Sequence, residues 1–488
     1  MNLDLFISKR GNNLLKQAEA VHSTVSGVPI SEFIPASRKL NFLALVSVIF
    51  FTVCGGAFGI EPLIGKVGAG FGIMLILITP LLWSLPISLM VSELSSAMPV
   101  EGGYYIWVKR ALGDFWGFQE GWWTICYTAV DMAIYPVLFV NYLAFFLPFL
   151  QPDAEGFLSW ETFFARWACA AAVIFLALLL NWNGAKAVGY NSTFFLLVIF
   201  LPFILLTYFG FTHEDGGIAK SFEAVRGSFS NEISPALLAV GLATVMWNYS
   251  GWDNVSTFAG EVNDASKNYP RALFTTLGLS VCAYLLPVFA LIGHTTSEEI
   301  WNESAGFPVL AEKLGGYGLG ILLAAAALVS AWSLFNSQLL YASRLPFAMA
   351  TDGWLPKFFA KTNGKTGVPT NALIACCLLA AFFAALPFGK LVVIDILFYS
   401  AELFLEFIAL LVLRKTQPDL PRPFKIRGGF PVLILITIAP MSFAATVIYA
   451  TLSDPETNLK HLGIVATALL AGVVLYFLRK KRIEKSAD

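Results

Sequence analysis

Long apolar stretches alternate with short polar or charged ones along most of the chain. An α-helix needs roughly 20 mostly apolar residues to cross the hydrocarbon core of a bilayer, and each stretch is close to that length or longer. We therefore predict an all-α membrane protein with twelve transmembrane helices. The predicted spans are residues 41–64, 69–92, 117–148, 165–185, 187–211, 235–258, 272–294, 316–343, 367–388, 391–413, 430–452 and 461–478.

Composition and charge agree with a membrane setting. Hydrophobic residues make up 57% of the 488 residues and charged residues only 13%, which is about half of the charged fraction of a soluble domain. If the segment before span 1 is cytoplasmic, most lysines and arginines fall on the cytoplasmic side, as the positive-inside rule predicts. We therefore expect a multi-pass protein of the cell membrane with both termini in the cytoplasm. Residues 1–38 are predicted to be a cytoplasmic tail rather than a signal peptide.

Two predicted spans contain helix-breaking segments at corresponding positions. Residues 54–62 of span 1 read CGGAFGIEP, and residues 247–254 of span 6 read WNYSGWDN. Each glycine costs a helix about 1 kcal/mol relative to alanine, and irregular backbone at this depth is tolerated only where it lines a cavity. Because each set holds five spans, an odd number, the second set is inverted relative to the first. Paired interruptions in inverted halves point to a transporter substrate site near the bilayer midplane.

The predicted organisation is therefore a five-plus-five inverted repeat with broken helices 1 and 6, followed by two C-terminal helices. The tail of residues 1–38 precedes a first repeat of residues 39–211 and a second repeat of residues 212–414. Residues 415–488 hold spans 11 and 12 and a short cytoplasmic tail.

Ionisable side chains inside the spans are few and mostly acidic. Asp131 lies in the middle of span 3, Glu402 and Glu406 lie in span 10, and Glu61 and Asp253 follow the two interruptions. A lone carboxylate at the bilayer centre costs ~2.5–3.5 kcal/mol even on the mildest scale. No lysine or arginine lies in the middle of a span to neutralise these groups. A cationic substrate, or protons, would supply the missing charge.

The spacing places tyrosines beside two of these carboxylates. Tyr127 and Tyr135 share a helix face with Asp131, and Tyr399 shares a face with Glu402, because residues three or four apart are neighbours on a helix. Each face is predicted to be an inner wall of the site, although each tyrosine could equally serve packing.

Several acidic and aromatic residues also have a structural interpretation. Glu61 and Asp253 could serve merely as caps for the second halves of the broken helices, where the helix dipole favours an anion. Glu406 could pair with Arg414 at the cytoplasmic end of its span. Trp252 could pack in the core or form an aromatic wall for a cation.

Other classes of site find little support. The six cysteines all lie in apolar spans, so no disulfide framework or metal-ligand spacing is predicted, and no cofactor is expected. No nucleophile–base constellation indicates an enzyme, and the basic residues are topology signals rather than a nucleic-acid surface. A membrane nutrient sensor stays an alternative to a transporter, although the predicted tails are short for an appended domain. The sequence does not predict an oligomeric state.

The chain from about residue 38 to 480 resembles the amino acid–polyamine–organocation superfamily. Within it, the chain is most similar to the polyamine uptake transporters known from plants and trypanosomatid protozoa. The segments that carry this resemblance are residues 55–61 (GGAFGIE), 101–108 (EGGYYIWV), 111–119 (ALGDFWGFQ), 131–139 (DMAIYPVLF), 247–248 (WN), 252–253 (WD), 259–262 (AGEV), 405–407 (LEF) and 422–425 (RPFK).

The resemblance implies a substrate between spans 1, 3, 6, 8 and 10, and alternating access. In amino-acid carriers of this fold the substrate carboxylate meets backbone amides after the first break. A polyamine has no carboxylate, so acidic side chains would take its ammonium groups. The candidate substrate-binding residues are Gly55, Gly56, Ala57, Phe58, Gly59, Glu61, Tyr127, Asp131, Trp247, Asn248, Tyr249, Gly251, Trp252, Asp253, Tyr399 and Glu402, with Asp131, Glu61, Asp253 and Glu402 as candidates for proton coupling.

Three departures keep the substrate open between a polyamine and a cationic or neutral amino acid. Asn141 stands where the polyamine group usually has aspartate, so one anionic contact is expected to be missing. Ala57 replaces a proline of that group, and Ser250 with Gly251 makes the second break similar to that of amino-acid carriers. The expected partners are a cationic or zwitterionic small molecule, protons rather than sodium, and the bilayer. An amino-acid exchanger or a sodium-coupled amino acid symporter is the alternative.

Overall fold

α-Helices dominate the computed structural model, which describes residues 39–151, 158–229, 233–297, 300–301, 306–386, 388–453 and 458–487. Within these ranges the only β-type pairings are two isolated bridges, Leu40 with Val262 and Glu101 with Phe258. The predicted all-helical class is therefore confirmed for the described part of the chain. The predicted N-terminal tail, residues 1–38, lies outside it.

The first half of the described chain contains eight α-helices, and a short π-helical segment, Pro80–Ser84, joins the second and third. A 3₁₀ turn, Pro148–Leu150, follows the fifth. These helices are α1 Phe42–Val53, α2 Glu61–Thr79, α3 Leu85–Ala97, α4 Gly103–Leu112, α5 Asp114–Leu143, α6 Trp160–Asn181, α7 Ala185–Thr212 and α8 Ile218–Ser228.

The second half has the same character, with 3₁₀ turns at Asn254–Thr257, Ala259–Glu261 and Lys357–Ala360. Its helices are α9 Pro235–Asn248, α10 Ala265–Ile292, α11 Gly306–Ala342, α12 Arg344–Thr351, α13 Thr370–Phe383, α14 Phe388–Thr416, α15 Gly429–Ser453 and α16 Asn458–Ala487.

Nine helical stretches of the described chain are long and apolar enough to cross a membrane, and α1 and α13 are shorter apolar helices. The predicted count of twelve spans stays a prediction. Two long helices contain a glycine with positive φ near a predicted span start, Gly68 in α2 (φ 74°) and Gly316 in α11 (φ 75°). The third span is predicted to end at residue 148, whereas α5 ends at Leu143.

Helix α5 occupies the centre of the bundle. It packs against α4, α11, α13, α14 and α16, and its side chains from Tyr127 to Pro136 are all buried. At the periphery, α7 carries a stripe of exposed apolar side chains that includes Phe194, Leu197 and Ile204. Such a stripe on a long apolar helix is suited to lipid contact.

One end of the bundle is held together by buried ion pairs. Arg344 binds Glu261 with Nε to Oε1 at 2.8 Å, and Lys109 binds Asp352 with Nζ to Oδ2 at 2.6 Å. Glu93 forms an ion pair with Arg414. Arg414 is the cation that the sequence suggested as a partner of Glu406. The expected Glu406–Arg414 pair is therefore wrong, because Nε and one terminal nitrogen of Arg414 donate to the two carboxylate oxygens of Glu93.

Replacing Gly103 with alanine tests the close packing of α4 against the segment that follows the second interruption. Gly103 has φ 36°, and an added Cβ would lie 2.0 Å from Oγ and 2.7 Å from the carbonyl carbon of Ser256. Gly113 also has positive φ, but no atom lies within 4 Å of its hypothetical Cβ. Both substitutions strain the backbone, and only Gly103→Ala adds overpacking, at about 1–3 kcal/mol. In detergent, the midpoint temperature of thermal unfolding should be lower for Gly103→Ala than for Gly113→Ala. Equal midpoint temperatures would contradict the contact.

Candidate substrate site

The first interruption lies between α1 and α2. Gly55, Gly56 and Gly59 have φ values of 64°, 102° and 87°, a region that only glycine occupies readily. A Cβ at Gly55 would lie 2.5 Å from Cδ1 of Leu334 on α11. The hydroxyl of Ser330, also on α11, donates to the carbonyl of Gly55. The unwound backbone is thus pressed closely against α11, which explains why glycine is required there.

Glu61 holds the end of this unwound segment. One of its oxygens accepts a hydrogen bond from the backbone N–H of Gly59 at 2.6 Å, and the other accepts from the hydroxyl of Tyr142 at 3.0 Å. The side chain is only 2% exposed. A carboxylate whose two oxygens are both engaged by the protein is placed to fix the backbone. These contacts favour the structural interpretation of Glu61.

The second interruption begins after α9 and contains no second α-helix. The two 3₁₀ turns, Asn254–Thr257 and Ala259–Glu261, replace the half-helix that the sequence suggested. Asp253 forms no side-chain cap. Instead, its carboxylate accepts a hydrogen bond from the hydroxyl of Tyr399 on α14. The expected capping role of Asp253 is therefore wrong, because its oxygen is directed at a neighbouring helix.

The two interruptions contact each other directly. Asn248 donates from Nδ2 to the carbonyl of Gly59 at 3.3 Å. The hydroxyl of Tyr284 on α10 lies 3.2 Å from the carbonyl oxygen of Cys54 and 2.7 Å from that of Asn248. Backbone carbonyls freed by both breaks are thus satisfied by the same side chains. The unwound segments form one structural unit in the core of the protein.

Asp131 lies beside this unit on α5 and is 1% exposed. Its Oδ1 accepts a hydrogen bond from the Tyr135 hydroxyl at 3.2 Å. Its Oδ2 accepts from the Tyr341 hydroxyl at 3.1 Å and from the side-chain amide of Gln338. All three donors are neutral, so hydrogen bonds orient the carboxylate, and no basic side chain among the described residues forms an ion pair with it. Such a group is suited to bind an ammonium ion or a proton.

Aromatic rings surround this carboxylate. The ring of Tyr135 stacks on Trp247 of α9, with centroids 6.0 Å apart. Tyr127 lies 5.1 Å from Tyr399, ring centroid to ring centroid. The hydroxyl of Tyr127 accepts a hydrogen bond from Asn254, and that of Tyr399 accepts one from the N–H of Gly251 at 3.1 Å. We call the Tyr127–Tyr399 contact the tyrosine layer. It links α5 and α14 to the second interruption.

Four more buried carboxylates meet on the other side of the tyrosine layer. Asp253, Glu120, Glu402 and Glu406 are each 0% exposed and lie close enough to interact electrostatically with one another. We call these four residues the acidic cluster. Glu120 comes from α5, and Glu402 and Glu406 come from α14. The cluster and Asp131 therefore occupy two levels of the same pair of helices.

Comparison with known proteins shows the family to which the chain belongs. The family profile described as amino acid permease matches residues 40–475. The chain belongs to the amino acid permease family. Polyamine transporter PUT1 of Oryza sativa subsp. japonica is 30% identical over 447 residues, covering 92% of this chain and 80% of the relative. Polyamine transporter RMV1 of Arabidopsis thaliana is 31% identical over 440 residues, covering 90% and 84%.

Amino-acid carriers are also similar to this permease. Asc-type amino acid transporter 1 of Mus musculus is 27% identical over 404 residues, covering 80% of this chain and 71% of the relative. The family and these relatives are transporters, so the prediction of a membrane permease rather than an enzyme is confirmed.

The predicted site residues of the permease fall into three groups. Gly55, Gly59 and Asn248 form the paired interruptions, and Asp131 and Trp247 lie against the same tyrosine-rich wall. The third group is the acidic cluster, to which Glu402 belongs. The remaining predicted residues, all at or between these places and all buried, are Gly56, Ala57, Phe58, Glu61, Tyr127, Tyr249, Gly251, Trp252, Asp253 and Tyr399.

Trp252 and Asn141 have contacts that the sequence did not predict. Trp252 is fully buried, and its Nε1 donates to the carbonyl of Tyr249 at 2.8 Å, so its indole supports the turn of the second interruption. Asn141 accepts a hydrogen bond from Arg166 on α6. Asn141 is thus paired with a basic side chain of another helix, and the expected loss of an anionic contact at this position stays a prediction.

Sequence reasoning missed several residues of the permease that touch these groups. Gln338 and Tyr341 bind Asp131, Tyr284 joins the interruptions, and Glu120 belongs to the acidic cluster. A signal for Glu120 was present: it precedes Asp131 by eleven residues, and an eleven-residue separation closes almost three whole helical turns. The two side chains therefore share a helix face. Asp395 and Glu406 on α14 have the same separation.

Proposed function

We propose that this permease imports a linear polyamine such as putrescine or spermidine, driven by a proton gradient, by alternating access. The observation that carries the proposal is the setting of Asp131. This buried carboxylate is oriented by neutral donors, lies against aromatic rings and is adjacent to two helix interruptions. An ammonium group supplies the charge that the protein itself does not, and aromatic faces attract cations.

Proton coupling follows from the same chemistry. A carboxylate in apolar surroundings holds a proton when no cation is bound, and an arriving ammonium group displaces it. Asp131, Asp253 and Glu402 are the candidates for proton coupling, since each places a carboxyl group near the site. Glu61 is a weaker candidate, because one of its oxygens holds the backbone N–H of Gly59 at the first interruption.

The proposal includes the finer architecture. Twelve spans in a five-plus-five inverted repeat, residues 39–211 and 212–414, are followed by two more spans in residues 415–488. Both termini face the cytoplasm of a cell-membrane protein, and the end that carries the Glu261–Arg344 and Glu93–Arg414 pairs is cytoplasmic. One bundle of helices then moves against the other around the fixed site.

Amino-acid transport, by proton or sodium symport or by exchange, is the second candidate. Two observations favour it: the similarity to Asc-type transporters and the unwound glycine segment at Gly55 and Gly56. Backbone amides in unwound turns of this kind can bind a carboxylate, which an amino acid has and a polyamine lacks.

Uptake into proteoliposomes separates these functions. Labelled putrescine, spermidine, arginine and leucine are offered separately, with an inward proton gradient and no sodium. Polyamine accumulation that collapses with a protonophore is the expected result. Accumulation of an amino acid alone would move the function to the second candidate. Uptake that appears only with sodium or with internal substrate would contradict proton symport.

A further inference from the structure

The acidic cluster has an unusual set of contacts for groups in the core of a membrane protein. Within the described residues, neither oxygen of Glu120, Glu402 or Glu406 accepts a hydrogen bond of ordinary geometry. Thr124 approaches Glu402, but its hydroxyl donates to the carbonyl of Glu120 at 2.8 Å. The nearest neighbour of Glu406 is another carboxylate, Asp253.

No basic side chain of the described chain neutralises the cluster. The ion pairs found there engage other carboxylates instead, namely Glu93, Glu261, Asp114 and Asp352. Tyr104 on α4 lies within electrostatic range of all four members, and its buried hydroxyl also lacks a hydrogen-bond partner. Burying unpaired acidic groups costs several kcal/mol and contributes nothing to packing that a glutamine or leucine would not. A role in binding explains why they are there.

We infer that the acidic cluster is a second ammonium-binding site, and that it receives the far amine of a linear polyamine whose near amine is bound by Asp131. The inference rests on the proposed function, since it assigns a longer substrate to the same transport path. Glu120, Glu402 and Glu406 supply the acceptor oxygens, and the Tyr104 hydroxyl is an additional acceptor.

The spacing of the two sites selects the length of the substrate. Glu120 and Asp131 are eleven residues apart on α5, about 16 Å at 1.5 Å per residue. On α14, Asp395, which interacts with Asp131, is seven residues from Glu402, about 10 Å. The distance between the sites is therefore about 10–16 Å by helix rise. A monoamine such as butylamine can engage only one of the two sites, whereas spermidine and longer polyamines approach this length.

The tyrosine layer fits the part of the ligand between the amines. The rings of Tyr127 and Tyr399 lie between the two levels of carboxylates, with centroids 5.1 Å apart and planes tilted by 43°. Aromatic faces pack against methylene groups and attract a passing cation. A polyamine with ammonium groups at both ends and an apolar stem is complementary to this order of acidic, aromatic and acidic surfaces.

Binding to the purified full-length protein tests the second site. The affinities of butylamine, putrescine, spermidine and spermine are measured for the wild type and for Glu402→Gln, Glu120→Gln and Glu406→Gln. We expect Glu120→Gln and Glu406→Gln to lower the affinity for spermidine and spermine by about tenfold or more, and to leave that for butylamine, which has a single ammonium group, unchanged. Glu312→Gln, at an exposed position of α11, is the matched control and should bind as the wild type.

Ligand-free stability provides a second measurement. Because glutamine keeps the shape and replaces a buried acidic group that must otherwise be charged or take up a proton, the cluster variants should unfold at or above the temperature of the wild type without ligand. Unchanged spermidine affinity in all three variants would overturn the second site, as would an equal loss for butylamine and spermidine. If the wild type binds no amine at all, the proposed function fails instead. Amine binding that needs Asp131 but none of the cluster glutamates would remove the second site alone.

Discussion

Asp131→Asn is expected to weaken the binding of a cationic substrate by roughly thirty-fold or more, and to abolish its accumulation against a gradient. Asparagine keeps the size of the side chain and one acceptor oxygen for Tyr135, Gln338 or Tyr341. It removes the negative charge that an ammonium group would pair with. Loss of one partner of a buried charge pair costs about 2–5 kcal/mol, and each 1.4 kcal/mol is a factor of ten in affinity.

The control for this variant is Asp264→Asn. Asp264 is exposed at the start of α10 and has φ 45°, a conformation that asparagine also tolerates, so the charge change is the same while the site is untouched. Uptake and binding of labelled putrescine are measured for both variants. Wild-type transport by Asp131→Asn would show that Asp131 is neither the ammonium site nor a coupling group. Binding that survives while accumulation is lost would assign Asp131 to proton coupling alone.

The positions of the helix interruptions could be predicted from sequence because their causes are local. Gly55, Gly56 and Gly59 adopt positive φ values, and the polar residues around Gly251 end α9 at Asn248. The neighbour relation within α5 was equally accessible, since Tyr135 four residues after Asp131 donates to it. Both follow from backbone preference and helical period, which need no knowledge of other helices.

The partners of the acidic residues could not be predicted in this way. Glu61 and Asp253 each follow an interruption and were equally plausible caps. Glu61 does bind a backbone N–H beside the break, whereas Asp253 meets Tyr399 of a helix almost 150 residues away in the chain. The placement of α14 against the second interruption decides this contact, and that placement is set by tertiary packing rather than by either segment alone.

Glu120 shows how the choice of span ends affects such predictions. With the third span starting at residue 117, Glu120 lay near the predicted membrane surface, where a carboxylate is unremarkable. The helix starts at Asp114, and the neighbouring α4 and α14 cover Glu120 completely. The cost of burial, and hence the functional signal, arises only from helices that are distant in sequence.

Among substitutions of a single polar residue of this permease, Glu93→Gln is expected to cause the largest loss of stability. Glu93 is completely buried on α3 and contacts two arginines, Arg414 at the end of α14 and Arg422 at 3.1 Å. It also accepts a hydrogen bond from the N–H of Ile426 at 2.8 Å. Burial lowers the pKa of Arg422, and the negative charge of Glu93 acts in the opposite direction. Removing the carboxylate leaves two largely buried guanidinium groups without a counter-ion.

Breaking a buried ion pair by removing one partner costs about 3–5 kcal/mol, so the variant should unfold at a clearly lower temperature in detergent. Arg414→Gln and the double variant complete a double-mutant cycle. Because the second substitution removes one of the uncompensated charges, the double variant should lose less stability than the sum of the two single losses. Strict additivity, or a Glu93→Gln variant as stable as the wild type, would mean that the contact does not hold α3 to α14. Substrate affinity at Asp131 should change little in any of these variants that folds, because the ion pairs lie at the end of the bundle and the site lies in its middle.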